Sequence, residues 1–235
     1  MNYFPATPLS GTAFVFAGGG SLGSIQVGML KALLKAGINA DYVVGSSVGA
    51  INAAFFAGDP TLEGVMCLEK IWHLLKRSDV YPVTAIAGML KLFTGKDYLV
   101  DPSSLTTLID REIPFRVLEA ARIPCHVVAT DLMDGQEVVM STGPVTEALL
   151  ASTAIPGVFP PVQRRGHFLI DGGVANHTPL STAADLGAER IIVLPTGAPC
   201  TLRRPPKGIV EITLHSLNLM ALRQLAMDAQ HYLGQ

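Results

Sequence analysis

Residues 12–57 repeat one pattern twice, and this repeat constrains the fold more than any other feature of the sequence. A short apolar run, TAFVFA (12–17), ends at glycines and leads into a segment with apolar residues at helical spacing (25–36). A second run, DYVVG (41–45), ends at a glycine and leads into another apolar segment (48–57). Strands that are covered on both faces and followed at once by helices are typical of parallel sheets. We therefore predict a βαβα unit in an α/β fold.

The rest of the chain predicts a three-layer α/β/α architecture with a mostly parallel central sheet. The runs IPCHVVATDL and QEVVMST are expected to pair as a hairpin across Met133, Asp134 and Gly135. Further helices are predicted at 62–75, 144–152, 180–186 and 209–233, a further strand at 167–171 and a last, buried strand at 190–195. Because no linker or repeat divides the sequence, we expect a single domain over 1–235, with its core at about 12–195 and a closing helix at about 209–233.

The composition is unusually apolar, and two explanations are compatible with it. Apolar residues make up 49% of the 235 residues and charged residues only 15%, whereas about a quarter of residues are charged in a typical soluble protein. A large core or an oligomer interface would account for this, and so would a surface that meets lipid or a long-chain substrate. The segment VTAIAGMLKLF (83–93) has the same two interpretations, as a core helix or as the lining of an acyl channel or membrane contact. The net charge of −2 argues against a nucleic-acid partner.

Cysteine usage and the amino-terminal residues predict a cytoplasmic protein, at most peripherally bound to a membrane. Cys67, Cys125 and Cys200 are widely spaced and form no Cys-x-x-Cys pair, so neither a disulfide framework nor a zinc site is expected. The residues MNYFPATPLSG have no signal-peptide pattern. The most apolar run, 42–58, contains serines, an asparagine and three glycines, and we interpret it as a strand and a helix rather than a membrane span.

The second glycine turn carries a candidate nucleophile. Gly45-Ser46-Ser47-Val48-Gly49 is a Gly-x-Ser-x-Gly pattern at the junction of a predicted strand and helix. On such a sharp turn the serine hydroxyl is exposed beside the helix N-terminus, whose partial positive charge favours an alkoxide. The flanking Gly45 and Gly49 leave room for the crossing backbones. Ser47 is therefore the candidate nucleophile, with a simple helix-capping role as the alternative.

The first glycine turn, GGGSLG (18–23), has two interpretations. Its Gly-x-Gly-x-x-Gly spacing at Gly18, Gly20 and Gly23 is typical of a dinucleotide-binding unit. That unit requires an acidic residue at the end of the second strand, but the nearby acid, Asp41, precedes that strand. The alternative is a set of backbone N–H groups, contributed by Gly18, Gly19, Gly20, Ser21 and Gly23, that stabilises an oxyanion beside Ser47.

A nucleophilic serine needs a base, and two kinds of base are available. Asp171 ends the apolar strand FLI and runs directly into Gly172 and Gly173. Partial burial there would raise the pKa of this carboxyl and make it a better base; a turn-forming Asp-Gly is the structural alternative. A Ser-Asp-His arrangement would instead use His177 or His215, neither of which has a local signature.

These elements together resemble the patatin-like phospholipase family. The matching segments are GGGSLG (18–23), GSSVG (45–49) and DGG (171–173), in the order of that family, and ATDLMDGQEVV (129–139) and ASTAIPGVFPPV (151–162) extend the likeness to roughly 12–195. The resemblance implies hydrolysis of acyl esters of lipids by a Ser47–Asp171 dyad, with an oxyanion hole in the glycine loop and with neither metal nor organic cofactor. One departure is Leu22, where the family usually has Arg or Lys.

Two other functions are compatible with the residues alone. An esterase, thioesterase or acyltransferase with a Ser-Asp-His triad would require His177 or His215 as its base. A non-catalytic module that binds nucleotide or lipid would use the glycine turn without any reaction at Ser47. The oligomeric state is not indicated by the sequence.

Overall fold

The computed structural model describes residues 9–80, 98–197 and 204–233. The segment 83–93, for which we considered a core helix or a channel lining, lies outside the described residues. Within them the chain begins with β1 (Thr12–Phe16), α1 (Ser24–Lys35), β2 (Tyr42–Ser46) and α2 (Val48–Gly58). β1 and β2 pair in parallel, with Val15 opposite Val44. The predicted βαβα unit is therefore confirmed.

The chain continues through α3 (Leu62–Leu74), the short α4 (Arg77–Val80) and α5 (Ser103–Glu112) to a β-hairpin. The hairpin strands are β3 (Cys125–Asp131) and β4 (Glu137–Met140), which pair antiparallel as the sequence predicts. The remaining elements are α6 (Val145–Ser152), β5 (Val162–Arg164), β6 (His167–Asp171), α7 (Leu180–Asp185), β7 (Arg190–Leu194) and α8 (Gly208–Leu233).

The strands of the described residues form one mixed sheet in the order β5-β6-β3-β2-β1-β7, with β4 also paired to β3. The pairs β7–β1, β1–β2 and β2–β3 are parallel, and the pairs that involve β4, β5 and β6 are antiparallel. Five of the seven described strands consequently run in one direction. The fold class is the expected three-layer α/β/α arrangement.

Alternate residues of each central strand contribute to two cores, one on each face of the sheet. Phe14 and Phe16 of β1 belong to the larger core, which also contains buried residues of α1, α2, α3, α5 and α6. Ala13 and Val15 belong to the smaller core, which includes Ala183 of α7. The period-two alternation explains why every residue of β1 is buried.

β7 differs from the sequence prediction in its burial. It was expected as a buried strand, yet Leu194 is its single buried residue, and the others are half-buried or exposed. The reason is its position, because β7 lies at the edge of the described sheet with β1 as its one neighbour. An apolar run such as RIIVL does not distinguish a central strand from an edge strand.

Candidate active site

The turn at Ser47 lies directly between β2 and α2 and has a strained backbone. Ser47 has φ 55° and ψ −130°, a conformation that residues other than glycine rarely adopt. A Cβ atom at Gly49 would collide with the carbonyl oxygens of Phe16 and Ala17, and one at Gly45 would lie 2.6 Å from the Gly49 carbonyl oxygen. Both glycines are thus required by close backbone approach, as the pattern predicts. The turn places the Ser47 hydroxyl at the N-terminus of α2.

Ser46 and Ser47 differ in their exposure and in their hydrogen bonds. Ser46 is fully buried, and its hydroxyl has no hydrogen-bond partner among the described residues. Ser47 is 8% exposed, and its hydroxyl donates to Asp171 Oδ2 at 2.6 Å. The structure therefore brings together the two side chains that the sequence singled out, although they lie 124 positions apart in the chain.

Asp171 is held by backbone contacts on both sides. Its second oxygen, Oδ1, accepts the Gly173 N–H at 2.8 Å, its carbonyl accepts the Thr130 hydroxyl at 2.8 Å and its N–H donates to the Ala154 carbonyl at 3.0 Å. A Cβ atom at Gly172 would collide with the Val128 carbonyl, so the residue after Asp171 must be glycine. Thr130 was not identified from the sequence.

Burial raises the pKa of Asp171 to about 6, and the hydrogen bonds from Ser47 and Gly173 oppose this shift. Desolvation disfavours the charged carboxylate more than these two donors stabilise it. No charged side chain contributes to the shift. A carboxyl with this pKa is ionised at neutral pH and is a stronger base than an exposed aspartate.

The ends of the glycine loop are fixed by buried amide side chains. Gln26 Nε2 donates to the Ala17 carbonyl at 2.9 Å and also to the Leu194 carbonyl at 2.9 Å. Asn52 Nδ2 donates to the Gly23 carbonyl at 2.9 Å and to Gln26 Oε1 at 2.8 Å. Both amides are fully buried, and Trp72 Nε1 donates to Asn52 Oδ1 at 3.0 Å. This network, Gln26–Asn52–Trp72, was not predicted, because each residue lies in a helix whose pattern indicated only packing.

Some backbone N–H groups of the loop are hydrogen-bonded within the described part of the chain, and others are not. The Gly18 N–H donates to the His177 carbonyl at 2.9 Å, and the Leu22 N–H donates to the Gly19 carbonyl at 3.2 Å. The Gly18 N–H is therefore occupied within the fold. The N–H groups of Gly19, Gly20 and Ser21 have no acceptor in the described part of the chain. Gly19 and Gly20 have φ of 144° and 57°, which explains the glycines at these two positions.

Ser152 is a further site residue that the sequence did not reveal. Its hydroxyl accepts the Ser47 N–H at 2.9 Å and donates to the Val128 carbonyl at 2.5 Å. It therefore links the backbone of the strained turn to β3. Ser152 lies in the run ASTAIPG, whose resemblance to the family was noted, but a serine in a helix has no pattern that distinguishes this role.

The two histidines considered as bases are not hydrogen-bonded to Ser47 or Asp171 among the described contacts. The His177 ring packs against the loop, and its Nδ1 would lie 2.9 Å from a Cβ atom at Gly18 and 3.1 Å from one at Gly173. Burial lowers the pKa of His177, which a hydrogen bond with the Gly18 backbone opposes. His215 lies on α8.

Asp41 and Ser47 lie at opposite ends of β2, with Asp41 before its first residue and Ser47 after its last. Its Oδ2 accepts the Thr12 N–H at 2.6 Å, at the amino end of β1. Ligands of open α/β sheets bind beyond the carboxyl ends of the strands. Asp41 is thus unavailable to a ribose at the glycine loop, as its sequence position predicts.

A sequence model of the patatin-like phospholipase family matches residues 14–184. The chain belongs to this family. The family is consistent with hydrolysis of lipid acyl groups, and the matched residues include all three glycine-containing segments described above.

Among its relatives, patatin-like phospholipase domain-containing protein 7 of Rattus norvegicus is 31% identical over 196 residues, covering 79% of this chain and 14% of that protein. Protein 6 of the same name from Homo sapiens is 29% identical, covering 79% and 13%. An uncharacterized NTE family protein of Mycobacterium bovis is 28% identical, covering 77% and 48%. This chain therefore spans less than half the length of each of these relatives.

Two solved structures are similar to this chain. VipD from Legionella pneumophila aligns with a TM-score of 0.48 and 17% identity, covering 80% of this chain and 50% of that one. A chain of the ExoU–SpcU complex from Pseudomonas aeruginosa aligns with a TM-score of 0.40 and 18% identity, covering 92% and 50%.

The residues around the site include exposed apolar side chains. Leu22 and Ile25 follow the glycine loop, and Val174 follows Gly173; each is about half exposed. In the described part of the chain no helix is both long and apolar enough to cross a bilayer, and no cluster of His, Cys, Asp or Glu there is arranged to hold a metal ion.

Proposed function

We propose that this patatin-like chain is a serine lipid acyl hydrolase in which Ser47 is the nucleophile and Asp171 the general base. The observation that carries the proposal is the 2.6 Å hydrogen bond from the Ser47 hydroxyl to Asp171 Oδ2, on a turn whose strain is typical of nucleophilic serines. The raised pKa of Asp171 supports its role as base. No histidine takes part in the proposed reaction.

The reaction proceeds in two halves. Asp171 accepts the proton of Ser47 as the serine oxygen attacks the ester carbonyl carbon, and the carbonyl π electrons move to the oxygen. The tetrahedral intermediate collapses, the alcohol leaves with the proton from Asp171, and an acyl-serine remains. Asp171 then removes a proton from water, which attacks the acyl-serine; collapse releases the fatty acid and returns the proton to Ser47.

We assign the oxyanion hole to the N–H groups of Gly19, Gly20 and Ser21, which have no acceptor in the described part of the chain. The Gly18 N–H does not contribute, since it is donated to the His177 carbonyl, and Gly18 and Gly23 serve the loop by allowing close approach. A Cβ atom at Gly18 would lie 3.4 Å from Ser47 Cβ, so the loop and the nucleophile are in contact. Preorganised donors of this kind are worth several kcal/mol to acyl transfer.

The proposal includes the side from which a lipid substrate reaches Ser47. A lipid ester would approach over the exposed Leu22, Ile25 and Val174, which suits peripheral contact with a membrane surface.

We treat residues 1–235 as one hydrolase unit, since Gln224 of α8 donates to the Ala175 carbonyl at 3.0 Å, next to the Asp171 segment.

The test is covalent labelling of Ser47 by a fluorophosphonate probe, followed by analysis of fatty acids released from a mixed lipid extract. We expect one adduct, on Ser47, and loss of both labelling and release in Ser47→Ala. Saturable nucleotide binding without a Ser47 adduct would favour a binding module instead. Labelling that depends on His177 or His215 would favour a triad enzyme.

A further inference from the structure

The peptide group between Gly18 and Gly19 is held by a residue from the far end of the domain. The Thr196 hydroxyl donates to the Gly18 carbonyl. Thr196 follows β7, 178 positions along the chain from Gly18, and is 5% exposed. A Cβ atom at Gly19 would lie 2.6 Å from Thr196 Cβ, so the threonine also packs directly against the loop. Gly18 is thus bonded through its N–H to His177 and through its carbonyl to Thr196.

This contact determines where the Gly19 N–H points. The described peptide bonds contain no cis isomer, and in a planar trans peptide the C=O and the following N–H point in opposite directions. Because the Gly18 carbonyl points to Thr196, the Gly19 N–H points away from Thr196. Gly19 N–H is one of the donors without an acceptor in the described part of the chain.

The same peptide group lies between two glycines, which resist a change of orientation less than other residues do. A half-turn of this peptide would exchange the directions of its C=O and N–H. The site would then present a carbonyl oxygen where a donor is required, and a negative dipole would face the oxyanion. The Thr196 hydroxyl holds the Gly18 carbonyl on its own side of the loop and so opposes this exchange.

We infer that Thr196 is a positioning residue that keeps the Gly18–Gly19 peptide in the orientation in which Gly19 N–H serves the oxyanion. The inference rests on the proposed function of Ser47. Thr196 acts through the peptide and does not touch the substrate. Its contribution therefore belongs to the transition state, where the oxygen becomes charged, rather than to binding of the uncharged ester.

The test compares Thr196→Val, which removes the hydroxyl and keeps the shape, with Thr196→Ser, which keeps the hydroxyl. On a water-soluble p-nitrophenyl ester we expect Thr196→Val to lower kcat about 10- to 100-fold with KM nearly unchanged, because a donor is misplaced rather than deleted. Thr196→Ser should retain most of the wild-type kcat. Thr106→Val is the matched control, since its hydroxyl also donates to a carbonyl, that of Pro102 at 2.9 Å, on α5.

A transition-state analogue separates positioning from general stability. A trifluoromethyl ketone forms a charged hemiketal on the serine, so its affinity should fall in Thr196→Val by the same factor as kcat/KM, whereas the affinity for an uncharged, non-hydrolysable ether analogue of the substrate should not change. Should Thr196→Val fail to fold, Thr196→Ala carries the same comparison. Equal kcat in wild type and the hydroxyl-free variant, or a loss confined to KM, would overturn the inference. Full activity of Ser47→Ala would overturn the proposed function instead.

Discussion

The Ser47 turn and the glycine loop follow neighbouring parallel strands, but their conformations are imposed in different ways. The Ser47 turn is strained, and its geometry is imposed by close packing of backbone on backbone, such as that of Gly49 against the carbonyls of Phe16 and Ala17. The glycine loop instead takes its conformation from hydrogen bonds contributed by residues outside the loop, namely Gln26, Asn52, His177 and Thr196. Steric exclusion dominates at the Ser47 turn, and hydrogen bonds to surrounding residues dominate at the glycine loop.

The difference suits the two tasks that we propose for these regions. A nucleophile must present one atom at one place, which a sterically enforced turn achieves at a cost of about 1–3 kcal/mol. An oxyanion hole needs several free N–H groups aligned together, and glycines adopt the φ angles of 144° and 57° found here without the strain that Ser47 bears. Glycines alone leave the loop flexible, so the side chains around it must supply the order.

The largest expected effect separates strain from chemistry at Ser47. Both Ser47→Ala and Ser47→Gly should lower kcat/KM at least about 10,000-fold, because the proposed nucleophile is lost. Ser47→Gly should also raise the free energy of unfolding relative to Ser47→Ala by about 1–2 kcal/mol, since glycine tolerates φ 55°. Ester hydrolysis and thermal unfolding measure the two effects. Equal stability of the two variants would show that the turn is not strained.

Removal of the loop attachment should give the next largest effect. Asn52→Leu leaves the Gly23 carbonyl, Gln26 Oε1 and Trp72 Nε1 without this partner. We expect kcat to fall about 10- to 100-fold through misplacement of the loop, and the free energy of unfolding to fall by about 1–3 kcal/mol. Kinetics and urea unfolding test both. If activity were unaffected while stability fell, the network would support the core and not the loop.

The pH dependence should be set by Asp171. Because its pKa is raised to about 6, kcat/KM should fall with decreasing pH below about 6, where the base becomes protonated. The folded state binds this proton more tightly than the unfolded chain, so the charged carboxylate costs stability above pH 6, and the cost disappears as the pH falls towards 3.8. Asp171→Asn should therefore be the more stable protein at pH 7.5, by up to about 3 kcal/mol.

A control for this prediction is the pH course of the difference itself. The stability advantage of Asp171→Asn over wild type should shrink between pH 6 and pH 4, measured as the difference in Tm. An advantage that stays constant over this range would assign the effect to packing rather than to the charge.

The smallest effect is expected at the histidines. His215→Ala should leave kcat/KM unchanged, and His177→Asn should reduce it only modestly, because the proposed base is Asp171, which accepts the hydrogen bond of the Ser47 hydroxyl. A histidine acting as general base would instead contribute about 100-fold or more. Ester hydrolysis at pH 7.5 distinguishes the two. A large loss in either variant would break the assignment of Asp171 as base.

The sequence predicted the parts of this molecule that depend on local patterns. The parallel β1–β2 unit, the β3–β4 hairpin and the three glycine-containing segments all follow from alternation, helical spacing and turn residues. The family and the fold class were predicted correctly. The catalytic roles of Ser47 and Asp171 stay predictions, supported by their contact.

The supports of the site could not be predicted in the same way. Thr196, Ser152 and Asn52 are single polar residues whose partners lie at least 20 positions away in the sequence. A hydroxyl or amide in a strand or helix has the same local signature whether it faces solvent or holds a loop. Only the assembled sheet, which places β7 beside β1, brings Thr196 to Gly18.

The position of β7 has a consequence for how this protein loses activity on heating. The strand lies at the edge of the described sheet. Even so, the Leu194 carbonyl at its end accepts a hydrogen bond from the Gln26 side chain, and the Thr196 hydroxyl just beyond it donates to the Gly18 carbonyl. Edge elements with few buried residues open at lower free energy than the core. Detachment of this strand would release the glycine loop while the central strands stay folded. We therefore expect thermal inactivation to begin below the temperature at which the whole domain melts.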